Sequence, residues 1–198
     1  MEPKIFDQIA KQYDTEDRIQ LAHRILEKLK PFLTNTKESC LLDFGCGTGL
    51  LGIPLTSLYK EVLFCDDSNV MLDVVQSKIQ AQNITNAKTI SLTNWIQTPT
   101  FSVDQILLSL VLLHIPDTQS ILKTLSDRLK PNGKVFIVDF LKNEKVSHPK
   151  VHNGFVTEAL EQTFKSIGFR AVISSVILEE KKVFMNDDAS LFLLIAEK

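Results

Sequence analysis

The sequence predicts an α/β fold: a mostly parallel sheet with helices on both faces. Three observations predict it. Short apolar runs recur at 41–44, 61–65, 87–92, 103–110 and 134–140. Stretches with apolar residues three or four apart separate them. Three alternate glycines, Gly45, Gly47 and Gly49, directly follow the first run. Near-continuous apolar strands suit a parallel sheet buried on both faces, and the helical stretches supply its crossovers.

The elements follow in order. Phe6, Ile9, Ala10 and Tyr13 are spaced as one face of a short helix. A second helical pattern runs from about Asp17 to Phe32 and ends near Pro31. Thr34 to Ser39 is a polar link into the first strand. After the glycines, an apolar helix from Leu50 reaches Tyr59. Pro54 lies inside it, beyond the first turn, where a missing N–H costs stability or bends the helix. Asp66-Asp67-Ser68 follows the second strand, and Asn69 to Gln82 reads as helix. Thr93-Asn94-Trp95 follows the third strand, and Ser109 lies near the end of the fourth. Asp117 caps a helix that buries Ile121, Leu122, Leu125 and Leu129, and Pro131-Asn132-Gly133 stops it. Thr157 caps a helix carrying Ala159, Leu160, Phe164 and Ile167, with Gly168 at C′. Two β-rich stretches, 170–178 and 191–196, have no helix between them and form an antiparallel hairpin at one edge.

The totals narrow the function classes. The 198 residues are 44% hydrophobic, enough for one domain with a sizeable core. A net charge of −2 without a Lys/Arg stripe gives no electrostatic reason to expect nucleic acid or an anionic membrane. No run approaches the roughly 20 apolar residues of a membrane span. The charged start lacks an apolar signal core. Cys40, Cys46 and Cys65 are odd in number without CxxC spacing, which suits reduced thiols in the cytoplasm. No two histidines have metal-ligand spacing with carboxylates, so no metal is expected.

In a sheet of this kind ligands bind beyond the carboxyl ends of the strands. The polar groups there are Gly45–Gly49, Asp66–Ser68, Asn94–Trp95 and Ser109. A strand turning into a helix through glycines presents free N–H groups and lets a ligand approach the main chain. The string from Gly47 to Gly52 matches the dinucleotide pattern GxGxxG, a weak signal alone. The turn begins at Gly45, however, so its register is GxGxG, with Gly52 already in the helix. Asp43 would also stand beside a pyrophosphate and repel it. The same carboxylate suits an ammonium group. A cofactor with an amino-acid tail and an adenosine meets every requirement. Asp43 and the glycine N–H groups would face the amino-acid part, Asp66 the ribose hydroxyls, and Asn94 the adenine edge with Trp95 nearby. S-adenosylmethionine (SAM) is that molecule. Structural readings stay open beside these: a plain turn for the glycines, a helix cap for Asp66, core packing for Met71, Trp95 and Tyr13, and a small loop residue for Cys46.

The segments LLDFGCGTG, CDDSNVML, VDQILLSLVLLHIPD, LKPNGKVFIVDF and TEALEQTFKSIGFRAV with LFLLIAEK together resemble the class I SAM-dependent methyltransferases. The start, FDQIAKQYD, resembles the N-terminal cap of their small-molecule, ubiquinone/menaquinone-methyltransferase-like branch. The resemblance implies a Rossmann-like seven-stranded sheet of order 3-2-1-4-5-7-6, strand 7 antiparallel. It implies one domain over 1–198, with 1–35 as a helical cap and about 141–156 as an insertion over the active site. It selects Asp66 over Asp67 for the ribose, with Ser68 and Met71 in register, and puts adenine at Asn94 or Thr93; with the residue-by-residue reading, the cofactor set is Tyr13, Asp43, Gly45, Cys46, Gly47, Asp66, Asp67, Ser68, Met71, Asn94, Trp95 and Ser109. Tyr13 becomes a lid residue. His114, His152 and Tyr13 are the catalytic candidates; His148 shares the insertion with His152. Asn132 stands where the family usually has a second glycine. Methyl transfer would leave S-adenosylhomocysteine (SAH). The stretch from Ser109 to Leu112 lacks the proline–aromatic motif of the family's nucleic-acid and protein modifiers, which favours a small acceptor. The acceptor atom, any general base and the oligomeric state stay open. The alternatives are a nicotinamide-dependent oxidoreductase and a SAM-binding protein without catalysis.

Overall fold

Leu41, Leu42 and Phe44 are almost wholly buried, as a central strand requires. They form β1 (Cys40–Phe44) in a computed structural model that describes residues 5–98, 101–149 and 151–198. Residues 1–4 of the expected cap and Lys150 of the expected insertion lie outside the described residues. The other strands are β2 (Glu61–Asp66), β3 (Ala87–Ser91), β4 (Val103–Ser109), β5 (Leu129–Phe140), β6 (Ala171–Phe184) and β7 (Asp187–Glu197). Among the described residues they form a seven-stranded sheet of order β3-β2-β1-β4-β5-β7-β6, as expected. β1 pairs with β2 and β2 with β3 in parallel, whereas β7 runs antiparallel to β5 and β6. The chain divides into two compact units, one ending at Val103 and one beginning at Asp104.

In the first unit, α1 (Ile5–Ile9) passes into a 3₁₀ turn at Ala10–Gln12, and α2 (Glu16–Leu29) is capped by Thr15. A 3₁₀ turn at Lys30–Phe32 ends it around Pro31. α3 is a single turn, Gly52–Leu55, not the long helix expected from Leu50 to Tyr59. Tight bonds from the N–H of Thr56 to Ile53 and of Leu58 to Leu55 close it off. Pro54 therefore sits in a first turn, where a missing donor costs little. α4 (Asn69–Ala81) is capped by Ser68, whose Oγ accepts the Met71 N–H at 3.2 Å. The cap is thus Ser68 rather than Asp66. α5 (Leu92–Gln97) was not expected; Ser91 caps it through the Asn94 N–H.

In the second unit, α6 (Thr118–Arg128) is capped by Asp117 as expected, at 2.9 Å from the Ser120 N–H. α7 (Thr157–Ser166) differs: its N-cap is Val156, which offers no side-chain acceptor, and Thr157 is its first residue. Gly168 takes φ +99° after it, the left-handed C′ geometry. β5 begins earlier than expected, at Leu129, and its register with β7 covers Lys134–Phe140. Asn132 takes φ +62° there, the left-handed geometry that glycine or asparagine accepts. β6 and β7 exceed their apolar runs because their charged ends still pair, up to Phe184 with Asp187. Met185 and Asn186 turn the hairpin with φ of +51° and +68°, the two-residue geometry that matches strand twist.

Candidate functional site

The glycine loop is built by backbone bonds to the end of β2. The N–H groups of Gly45 and Cys46 both donate to the Cys65 carbonyl, at 2.8 and 3.1 Å. Gly45, Gly47 and Gly49 all have positive φ, between +53° and +78°, a path that side-chain-bearing residues rarely take. Asp66 fastens the loop from the other side. Its Oδ2 accepts the Gly47 N–H at 2.8 Å and its Oδ1 the Ser68 N–H at 2.9 Å. Each carboxylate oxygen has a further lone pair, so two vicinal hydroxyls can still donate to it. Burial raises the Asp66 pKa, and the Ser68 and Gly47 N–H groups oppose that. Asp67 beside it is exposed.

Gly52 has a packing task that its place in α3 concealed. A β-carbon there would overlap Asp43 Oδ2 and the Phe64 ring. This is the close helix–strand packing that the third glycine of a dinucleotide fingerprint also provides, so the glycine pattern does not by itself separate the two cofactor types. Asp43 does bear on that choice. It is buried, and its Oδ2 has no hydrogen-bond partner among the described residues. Burial, then the charge of Asp66, pushes its pKa up to about 7, although the Gly52 N–H opposes this. A buried carboxylate with one oxygen lacking a partner suits a proton or a cation and repels phosphate.

Tyr13 is half-buried. Its pKa is raised by burial and by the charges of Asp66 and Asp14, against the effect of Arg18, so its hydroxyl belongs to this group of acids. The Arg18 guanidinium stands 4.2 Å over its ring. Cys46 Sγ donates to the Gly47 carbonyl at 3.6 Å, and burial pushes its thiol pKa well up. Met71 and Trp95 are wholly buried; Trp95 packs edge-on against Phe44 at 5.6 Å. Asn94 and Thr93 are exposed on the first turn of α5. Three residues without a local sequence signal join the site: Asp14, Thr48 and Lys78, bonded to one another. Their separations of 34, 64 and 30 residues explain why no local pattern revealed them.

Ser109, His114 and His152 lie in the second unit. Ser109 ends β4. Leu110 follows with φ +53°, strained for a branched side chain, and its N–H donates to the Val138 carbonyl at 2.8 Å. The next turn is held by Asp139, which has no exposed surface and accepts the N–H groups of Leu113 and Phe140. His152 holds the same turn: its N–H donates to Leu113 and its Nε2 lies 2.9 Å from the Ile115 carbonyl. That ring nitrogen is therefore engaged in bracing the turn. His114 is exposed in part, and its pKa is lowered by desolvation and then by His148.

Asp43 and Asp139 both have pKa values of about 7 in the folded chain, against about 3.8 for an ordinary aspartate. Between those values the folded chain keeps protons that the unfolded chain has lost. Their contribution to stability is thus fullest below pH about 4 and falls as pH rises through about 7. Asp43→Asn keeps an acceptor for the Gly52 N–H but cannot ionise. Its urea midpoint should decline less than that of wild type from pH 4 to 8 and exceed it at pH 8. Identical slopes would show that Asp43 titrates as an ordinary carboxylate.

A family described as "Methyltransferase domain" matches residues 42–135, which include the glycine loop, Asp66 and β4. Residues 42–135 are thus similar to a methyltransferase domain. An uncharacterised methyltransferase of Schizosaccharomyces pombe is 30% identical over 64% of this chain and 51% of its own length. A ubiquinone biosynthesis O-methyltransferase of Rickettsia typhi is 26% identical over 73% of this chain and 62% of its own. The chain thus spans about half to three fifths of the length of these two relatives. A crystal structure of a SAM-dependent methyltransferase from Aquifex aeolicus superposes with a TM-score of 0.73 at 20% identity, covering 98% of this chain and 99% of that one. Among the described residues of the domain no metal-binding group of His, Cys, Asp or Glu occurs, and no helix is long and apolar enough to cross a membrane.

Proposed function

We propose that the protein transfers a methyl group from SAM to a small-molecule acceptor. The observation that carries this reading is the glycine loop fastened to Asp66 over a buried carboxylate, Asp43, that has one oxygen without a partner. Asp43 answers the cofactor's ammonium, directly or through water; the N–H groups of Gly45, Cys46, Gly47 and Gly49, expected to be free for a ligand, are instead spent on bonds that shape the loop. Asp66 accepts the ribose hydroxyls, with Ser68 holding its orientation. Asn94 or Thr93 takes the adenine edge beside the buried Met71 and Trp95, and Tyr13 forms a wall over the amino-acid part. SAM supplies a sulfonium leaving group, so the chain's own task is to align the methyl with its acceptor and exclude water. Ser109 keeps its proposed cofactor role. His114 and His152 keep theirs as catalytic candidates, although the engaged ring nitrogen of His152 argues against it as a base.

Similarity to ubiquinone biosynthesis O-methyltransferases supports an oxygen atom as acceptor, and the net charge of −2 argues against nucleic acid. The three free cysteines fit a reducing, cytoplasmic setting. The test has two parts. SAH, and not NAD, should raise the melting temperature; stabilisation by NAD alone would sink the reading. Labelled methyl from SAM should then appear in a metabolite from an extract. SAH binding without transfer to any pool would leave a cofactor-binding protein without catalysis.

A further inference from the structure

We infer that Asp14 and Lys78 are positioning residues: they hold the glycine loop in shape and latch the N-terminal segment to it, so that release of the latch governs cofactor exchange. The inference rests on the cofactor reading above. Three stretches distant in sequence meet at the latch. Asp14 follows the Ala10–Gln12 turn, Thr48 lies between two left-handed glycines of the loop, and Lys78 belongs to the last turn of α4. Asp14 Oδ1 accepts the Thr48 hydroxyl at 2.5 Å and Oδ2 accepts Lys78 Nζ at 2.6 Å. Lys78 Nζ also donates to the Thr48 carbonyl at 2.7 Å. One side chain of the loop is thus held at both its hydroxyl and its carbonyl.

The loop needs such an anchor. Gly47 and Gly49 contribute no side chains, and glycine gives up much backbone freedom when ordered. Asp66 holds the Gly47 N–H, and the latch holds the next residue. Thr48 is 1% exposed, whereas the Lys78 and Asp14 side chains are 25% and 28% exposed. The anchored end is therefore buried, while the ion pair that secures it still reaches water and can open. A second tie runs parallel: Ser68, the α4 cap, donates its hydroxyl to Asp7 of α1 at 2.5 Å. Tyr13 lies in the segment between the two tied residues, with the Arg18 guanidinium also donating to its carbonyl at 2.9 Å. Charge-assisted bonds of this kind are short and strong, and a partly shielded pair is screened less than an exposed one. The segment from Asp7 to Asp14 is in this way fixed to the elements that carry the loop and Ser68.

Lys78→Met keeps much of the side chain's apolar stem and removes the charge. Hydrogen exchange of the protein without added cofactor should speed up about tenfold at Tyr13, Thr15 and Gly47–Gly49, in keeping with the loss of charged hydrogen bonds. SAH, followed by stopped flow, should dissociate about tenfold faster. Lys78→Arg should recover most of both effects. Asp14→Asn keeps an acceptor for Thr48 but ends the ion pair, and should reproduce Lys78→Met if that variant folds poorly. Lys88→Met, which removes the exposed pair with Glu61, should change neither readout. Unchanged exchange in Lys78→Met and Asp14→Asn would overturn the latch. Faster exchange with unchanged SAH dissociation would overturn its control of cofactor exchange. If wild type binds no SAH, the cofactor reading falls and takes that control with it, while the exchange data still decide the positioning role.

Discussion

Gly52→Ala is expected to lower stability by about 3 kcal/mol, the upper part of the usual range for overpacking. For a chain of this length that corresponds to roughly 6–12 °C in melting temperature. The added β-carbon would meet Asp43 Oδ2 on one side and the Phe64 ring on the other. Neither can give way easily: Phe64 is 0% exposed in β2 and Asp43 is 3% exposed in β1. α3 would have to lift off the sheet and draw the loop with it. Gly47 makes a sharp contrast. Nothing lies within 4 Å of a β-carbon placed there, so alanine would cost only its φ of +53°, about 1–2 kcal/mol. Thermal and urea unfolding of the two variants measure the difference. A Gly52→Ala protein as stable as Gly47→Ala would show that α3 slides freely over β1 and β2. The open side of Gly47 is also where a ligand can approach the main chain, so Gly47→Val should impair cofactor binding more than stability.

Asp66→Ala is expected to weaken SAH binding roughly 100-fold, the equivalent of one or two hydrogen bonds to a charged group. Two effects combine in that figure. The ribose loses its acceptor, and the loop loses the bond from the Gly47 N–H. The Ser68 N–H loses its partner as well. Because Ser68 caps α4 and is tied to Asp7, some loosening should spread into the N-terminal segment. Asp66→Asn, which retains one acceptor oxygen, should lose about tenfold. Calorimetric titration with SAH measures both. An Asp66→Ala protein with wild-type affinity would refute the ribose assignment.

Much of the fold was legible because local physics dictates it. Continuous apolar runs, Asp117 as a cap and Gly168 as a stop carry their meaning within a few residues. The element ends were less legible. α3 shrank to one turn because tight turns close it after Leu55, and β6 and β7 outran their apolar runs because backbone pairing continues through charged residues. α5 escaped notice because its one buried side chain, Trp95, gives no helical period.

The sequence by itself determined the sheet order through the family resemblance, the glycine turn, and the acids Asp43 and Asp66 at the strand ends. Each depends on one residue type at one place beside a strand. Only the tertiary structure decided what those acids do to each other and to the loop. Burial and the nearness of Asp66 set Asp43 near pH 7, and packing against Asp43 and Phe64 made Gly52 indispensable. The folded chain also brought Asp14 and Lys78 to Thr48, across separations of 34 and 30 residues. Burial, electric fields and bonds between distant residues come from the meeting of elements in space, and no spacing along the chain encodes that meeting locally.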